Sequence, residues 1–356
     1  MLKVGIYVPY VKNEVTLAAV QFADWLVRCG LQVEILSNGK VSSGVHSFWD
    51  KKVRRCRDSS SVFRWAFGAT HLCWFSPDYK AYEAARTVAR DTAKKSVRNI
   101  FFPDLCRWNE SHVGFFQECD RTICLSQDLS RWLDVKHPTI QTSRTWANLV
   151  SSSLSLSSKQ GLINPDQLRL LVVMDRSMTI DIGIEIISMF RSILEKNNKI
   201  HLTFVFSGSL PKTYSNVLKL IASEYRGRLK CVGNIGYPDY IHLVLQHDWV
   251  YSAVTRYRTG ALLSHLLVTN VPIICHDIAP VCGHLSDAIT GKLIPCATHD
   301  RYFPVAAVEL DNIKNEIESV LALTEKQLVV MQLAIANQIK KKQASFEKFI
   351  IKEFIS

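Results

Sequence analysis

The 356-residue, 40.4 kDa chain is 47% hydrophobic and 21% charged, which supplies core material for two ordinary domains and excludes a disordered chain. Its net charge of +11 is uneven: 21 Lys+Arg against 14 Asp+Glu in residues 1–150 (+7), and 22 against 18 in the remainder (+4). That excess fits a polyanionic partner, whether nucleic acid, an anionic membrane surface or phosphates. No apolar run reaches the ~18 residues that span a bilayer. The N-terminus has no signal-peptide apolar region, and the ten cysteines form no CxxC pair. These features predict a cytoplasmic chain with reduced core thiols and no tightly bound metal.

Along the first half, "KVGIYVPY" predicts a strand ending at Pro9, and an amphipathic helix follows from Val15 to Arg28 with Gly30 as its stop. "LQVEILS" completes a βαβ unit, which implies a right-handed crossover and a parallel sheet. "THLCWF" reads as a buried strand, Tyr79 to Lys95 as a helix, and "VRNIFF" and "RTICLS" as further strands. Ser126 is placed to cap a helix carrying Leu129, Trp132 and Leu133.

Residues 151–161, "SSSLSLSSKQG", interrupt the rhythm and predict a linker between domains at 1–150 and 162–356. The alternation restarts with "LRLLVVM", a helix from Ile182 to Lys196 and "IHLTFVFSG". A helix from Tyr214 to Tyr225, "RLKCVG", a helix around Tyr237 to Gln246, "WVYSAV" and "GKLIPC" follow. Asp311 to Phe354 reads as terminal helices. Two successive doubly wound α/β units are the predicted architecture.

Ligands of open parallel sheets bind beyond the carboxyl ends of the strands. The candidate loops are therefore Pro9–Glu14, Ser76–Asp78, Pro103–Trp108, Asp175–Thr179, Ser207–Ser209, Asn234–Tyr237 and Thr255–Gly260. GxGxxG after the first strand, GxxxxGK[ST], GxSxG and Asp-x-Asp are all missing, which argues against dinucleotide oxidoreductases, P-loop enzymes, α/β-hydrolases and metal-chelated diphosphate. Arginines and backbone amides remain as diphosphate ligands. Arg176 and Ser177 follow a strand, as does Gly208; Arg256, Arg258, Thr259 and Gly260 precede a helix that carries His265. The same arginines could also be solvated surface groups.

With that order of elements, residues Leu168 to Pro295 resemble the nucleotide-binding domain of GT-B glycosyltransferases, and "KVGIYVPY", "ADWLVRCGLQVEILS" and "CDRTICLSQDLSRWL" resemble the matching acceptor domain. The resemblance implies an α/β fold of two Rossmann-like domains facing across a cleft, with C-terminal helices. It also implies a nucleotide-sugar donor, a UDP-sugar foremost, and a monomer without metal in the donor site. Where the retaining branch of that family carries two glutamates, this chain has Tyr257 and His265. "NIFFPDLCRW", "GLQVEILS" and "MDRSM" are similar to segments of T-even phage DNA β-glucosyltransferases. That likeness implies Asp104 as general base, donor-phosphate contact by Arg176, and a host-cytoplasm setting if the chain is phage-encoded. Asp104 could also be a turn residue or helix cap after Pro103.

His46 to Phe67 is the most basic stretch: Lys51, Lys52, Arg54, Arg55, Arg57 and Arg64, interleaved with Phe48, Trp49, Phe63 and Trp65. With Arg107 and Trp108 it forms the predicted acceptor surface, where cations would neutralise phosphates and aromatics would stack on bases; the same stretch could also be a charged helix or loop face whose aromatics belong to the core. Double-stranded DNA carrying a hydroxymethylated base is the favoured acceptor, and base flipping would expose it. A lipid-linked or surface saccharide at an anionic membrane is the alternative, and a catalytically inactive binding scaffold is a third reading.

Overall fold

A computed structural model describes residues 2–8, 14–38, 53–56, 58–92, 97–103, 110–138, 143–147, 149, 167–174, 179–206, 212–233, 235, 237–253, 263, 266–278, 285, 290–295 and 309–356. The chain divides into two compact units. The first holds Met1–Ser152, Arg258–Ser264 and the chain's end, Lys340–Ser356; the second is built from Ser153–Tyr257 and His265–Ile339. The expected linker at 151–161 lies outside the described residues.

The first unit is one parallel sheet of β1 (Lys3–Val8), β2 (Gln32–Ser37), β3 (Val53–Arg55), β4 (His71–Trp74), β5 (Arg98–Phe101), β6 (Arg121–Cys124) and β7 (Ser143–Trp146), in the order β3-β2-β1-β4-β5-β6-β7. Its helices are α1 (Glu14–Arg28), α2 (Ser59–Ala66), α3 (Tyr79–Thr92), α4 (Glu110–Glu118) and α5 (Gln127–Lys136). β1 and β4 are near-continuous apolar runs, as strands covered on both faces must be. Gly30 ends α1 with φ +82°, the left-handed conformation a helix stop favours. Ser126 caps α5 as expected, its hydroxyl accepting from Leu129 N at 3.1 Å.

The second unit is a parallel sheet of β8 (Leu168–Met174), β9 (Ile200–Phe206), β10 (Leu229–Gly233), β11 (Trp249–Ser252), β12 (Ile273–His276) and β13 (Gly291–Ile294), in the order β10-β9-β8-β11-β12-β13. It carries α6 (Ile180–Lys196), α7 (Lys212–Glu224), α8 (Tyr237–Leu245) and α9 (Leu310–Leu321), followed by α10 (Glu325–Ile350). One face of the sheet and helices α6, α7 and α9 enclose an apolar cluster that includes Val172, Phe190, Phe204, Tyr251 and Ile313. At the amino ends of the strands, Asp248 is fully buried and accepts from Arg169 N at 2.8 Å and from its guanidinium at 3.2 and 3.3 Å.

The end of α10 and the π-helical turn after it, Ile351–Ile355, pack into the first unit. Phe22 of α1 meets Phe354 at 5.5 Å and Phe346 at 6.5 Å between ring centroids, and Trp25 meets Phe346 at 5.6 Å. Glu353, with its side chain 1% exposed, pairs with Arg121 at the start of β6. Removing one partner of a buried pair strands the other, at a cost of about 3–5 kcal/mol. Arg121→Ala is therefore expected to destabilise the first unit by ~3 kcal/mol and to open the C-terminal turn to proteolysis, read by denaturant unfolding and limited digestion. Wild-type stability and an uncut C-terminus would contradict this.

Candidate functional site

Each sheet reverses its winding once. In the first unit the chain runs β1 to β2 to β3 in one direction and β4 to β7 in the other, so the reversal lies between β1 and β4. Crevices of this kind, at the carboxyl ends of the strands, are where open α/β sheets bind ligands. At this one, Asp78 follows β4 and is held from three sides. Tyr7 of β1 and Asn38, just past β2, donate to its Oδ2, the latter at 3.2 Å, and Ala81 N donates to Oδ1 at 3.1 Å. One carboxylate thus ties the carboxyl ends of β1, β2 and β4 together and caps α3. The sequence marks Ser76–Asp78 as a candidate loop, but Tyr7 lies within a buried strand and gives no sign of its role.

The basic stretch separates into a surface and a core. Arg54 and Arg55 are exposed on edge strand β3, and Arg64 is exposed on α2. Phe63 of α2 and Phe67 just after it are 39% and 62% exposed. Trp65 is a correction: it is fully buried, its Nε1 donates to Glu34 O at 3.1 Å, and its ring stands edge-on to Trp74 at 5.5 Å. Gly5 of β1 makes the room, since a Cβ there would lie 2.8 Å from the indole. A ring enclosed in this way cannot stack on a base, so among the described residues Phe63 and Phe67 are the exposed aromatics of this surface.

In the second unit the reversal lies between β8 and β11. The helix after β8, α6, begins at the Thr179 cap, whose hydroxyl accepts from Ile182 N at 3.4 Å. Tyr214 of α7 donates to Thr179 O at 3.1 Å, and a Cβ on Gly183 would fall 2.1 Å from the tyrosine oxygen. The glycine therefore lets α7 brace the amino end of α6, where helix amides favour anions. Two strands away, His276 ends β12 fully buried, and burial holds its pKa down to about 4.

No family model matches the chain, and neither does any curated protein. Solved structures do. A glycosyltransferase from Rickettsia africae ESF-5 superposes with a TM-score of 0.68 at 12% identity, covering 99% of each chain. The Anabaena protein HepE, in complex with UDP and glucose, gives 0.60 at 11%, covering 99% of this chain and 100% of the other. An alpha-glucosyltransferase in complex with UDP and a 13-mer DNA containing a HMU base gives 0.61 at 10%, covering 98% and 99%. Together with two doubly wound parallel sheets, these likenesses settle the architecture. The chain has the GT-B fold.

Within that GT-B frame, many of the residues singled out by sequence lie outside the described residues: Asp104, Arg107, Trp108, Arg176, Ser177, Gly208, Arg256, Arg258, Thr259, Gly260, His265, Lys51, Lys52 and Arg57. The described elements fix where their loops attach. Asp104 follows β5, Arg176 and Ser177 join β8 to α6, and Gly208 follows β9. Arg256 to Gly260 follow β11. All are carboxyl ends of parallel strands.

Two buried histidines make this scaffold sensitive to acid. The pKa values of His71, in the first unit, and His276, in the second, are both lowered to about 4, chiefly by burial. Unfolded, each would titrate near 6.5, so between those values the unfolded chain binds more protons. Their contribution is full above pH 6.5 and is lost as pH falls towards 4, roughly 3 kcal/mol for His276 and less for His71. The expected outcome is a melting temperature that falls steadily from pH 7 to pH 4.5, with a shallower fall in His276→Leu. An identical acid limb in the variant would exclude His276 as its source.

Proposed function

We propose that this chain transfers a sugar from a nucleoside diphosphate donor, a UDP-sugar foremost, to a hydroxyl acceptor. The second unit would bind the donor and the first the acceptor. The observation that carries the reading is the pair of winding reversals in a GT-B fold, where the sequence independently puts arginines after strands of the second sheet and a carboxylate and basic surface on the first unit. Two of the similar structures named above hold UDP, which supports a uridine nucleotide.

In this reading Asp104 takes the acceptor hydroxyl proton as the oxygen forms its bond to the anomeric carbon. The bond from that carbon to the β-phosphate oxygen breaks, and UDP leaves with the electron pair. Arg176, Arg256 and Arg258, with the amides at the start of α6, stabilise the charge that develops on the diphosphate. The reading needs no metal for this step.

The favoured acceptor is a hydroxymethylated base in duplex DNA. Exposed Arg54, Arg55 and Arg64, with exposed Phe63 and Phe67, supply the cations and aromatic faces that suit phosphates and bases. A second reading, transfer at an anionic membrane surface, draws on Val330 and Leu333, 65% and 61% exposed on α10 with Lys340 and Lys341 further along the same helix.

Incubation with a panel of nucleotide sugars and hydroxymethylated DNA, followed by nucleoside mass spectrometry, should show a hexose or pentose mass added to the base. Asp104→Asn should lower that rate by roughly 10²–10⁴-fold; an unchanged rate removes Asp104 from the chemistry. Duplex binding should weaken steeply with salt, and replacing Arg54 and Arg55 by alanine should reduce the log–log salt slope by about 2. Binding to anionic vesicles with none to DNA would reject the DNA acceptor and favour the membrane.

A further inference from the structure

Register fixes where His276 points. Partners in a parallel sheet share a face, and residues two apart along a strand do too. Tyr251 pairs with Ile274, and His276 with Ile294, so all four lie on one side of the second sheet. That is the side covered by α6 and α9. Phe190 of α6 meets Tyr251 at 5.7 Å between centroids, and Ile274 and Ile294 share an apolar cluster with Ile313 of α9.

His276 is therefore a polar ring on an apolar face. It is 0% exposed, and among the described residues neither ring nitrogen has a hydrogen-bond partner. Tyr251, its ring centroid 6.4 Å away, is also fully buried with an unpartnered hydroxyl. Desolvated polar atoms without partners cost stability, and a leucine would fill such a place without that cost. A residue that only packs has no reason to be histidine here.

Its place on the strand supplies one. His276 is the last residue of β12, at the carboxyl edge of the sheet, and the backbone turns immediately after it, Ile278 N donating to His276 O at 2.9 Å. We propose that His276 is a donor-binding residue of the second unit that exchanges hydrogen bonds with a hydroxyl of the nucleotide sugar. This rests on the transferase reading given above. A neutral imidazole presents one N–H and one lone pair, which a hydroxyl matches on both counts. A phosphate only accepts and would favour the imidazolium, the form that burial opposes at this position. A hydroxyl paired with a fully buried ring is itself withdrawn from water, where one hydrogen bond discriminates most strongly between ligands.

The test is calorimetric titration at pH 7.5 of wild type and His276→Leu, with UDP and with the tightest-binding member of a panel of UDP-sugars, alongside thermal melting. The expected variant melts at or above the wild-type temperature yet binds at least about tenfold more weakly. Loss with the UDP-sugar alone assigns the hydroxyl to the transferred sugar, and loss with both ligands assigns it to the ribose; either supports the proposal. A folded variant with unchanged affinity for both overturns it. Should the leucine variant not fold, His276→Met, flexible and free of strong hydrogen-bonding groups, is read in the same way. A folded wild-type protein that binds no nucleotide overturns the transferase reading, and this assignment with it, before any variant is compared.

Discussion

The constraint on which the structure depends is the single reversal of winding in each parallel sheet. Parallel strands need helical crossovers, and crossovers of one hand place successive helices on one face until the winding direction changes. Where it changes, between β1 and β4 and between β8 and β11, neighbouring crossovers leave in opposite directions and a crevice remains at the carboxyl ends. Each candidate ligand loop read from the sequence follows the carboxyl end of a strand. The two units repeat one solution, and their side chains specialise it: a clamped Asp78 and exposed arginines in the first, and a braced helix start and a buried imidazole in the second.

Much of this fold is legible in the sequence because parallel strands buried on both faces are almost continuously apolar. "LRLLVVM" and "IHLTFVF" become β8 and β9 with the expected bounds at their amino ends, and the Ser126 cap and the Gly30 stop form as local chemistry dictates. The elements that were not legible are short or polar. β3 is three residues, Val53–Arg55, with two exposed arginines, an edge strand whose composition reads as a charged loop. α4 begins in a polar stretch, and β7 contains a serine, an arginine and a threonine in four residues. The return of the chain's end to the first unit depends on long-range contacts, Phe22 with Phe346 and Phe354, that no local pattern reports.

The candidate site was legible at the level of loops and less so at the level of side chains. Trp65 sits in a basic, aromatic run that looks like a nucleic-acid surface, yet its indole fills the space that Gly5 leaves in the core. The decisive information is a glycine sixty residues earlier in the chain, which becomes a neighbour only when β1 and α2 pack. Gly183 and Tyr214 are a similar case, because their contact exists only once α6 and α7 lie side by side. His276 ends an apolar strand and resembles any packing histidine until it is seen in three dimensions that, among the described residues, its nitrogens have no partners.

The account turns on the second unit being the nucleotide site. A crystal structure of the protein with UDP tests that most directly. The diphosphate is expected at the carboxyl edge of the second sheet, against the start of α6 and the arginine loops that follow β8 and β11. UDP bound instead at the reversal of the first sheet, or away from both carboxyl edges, would contradict the assignment of donor and acceptor to the two units.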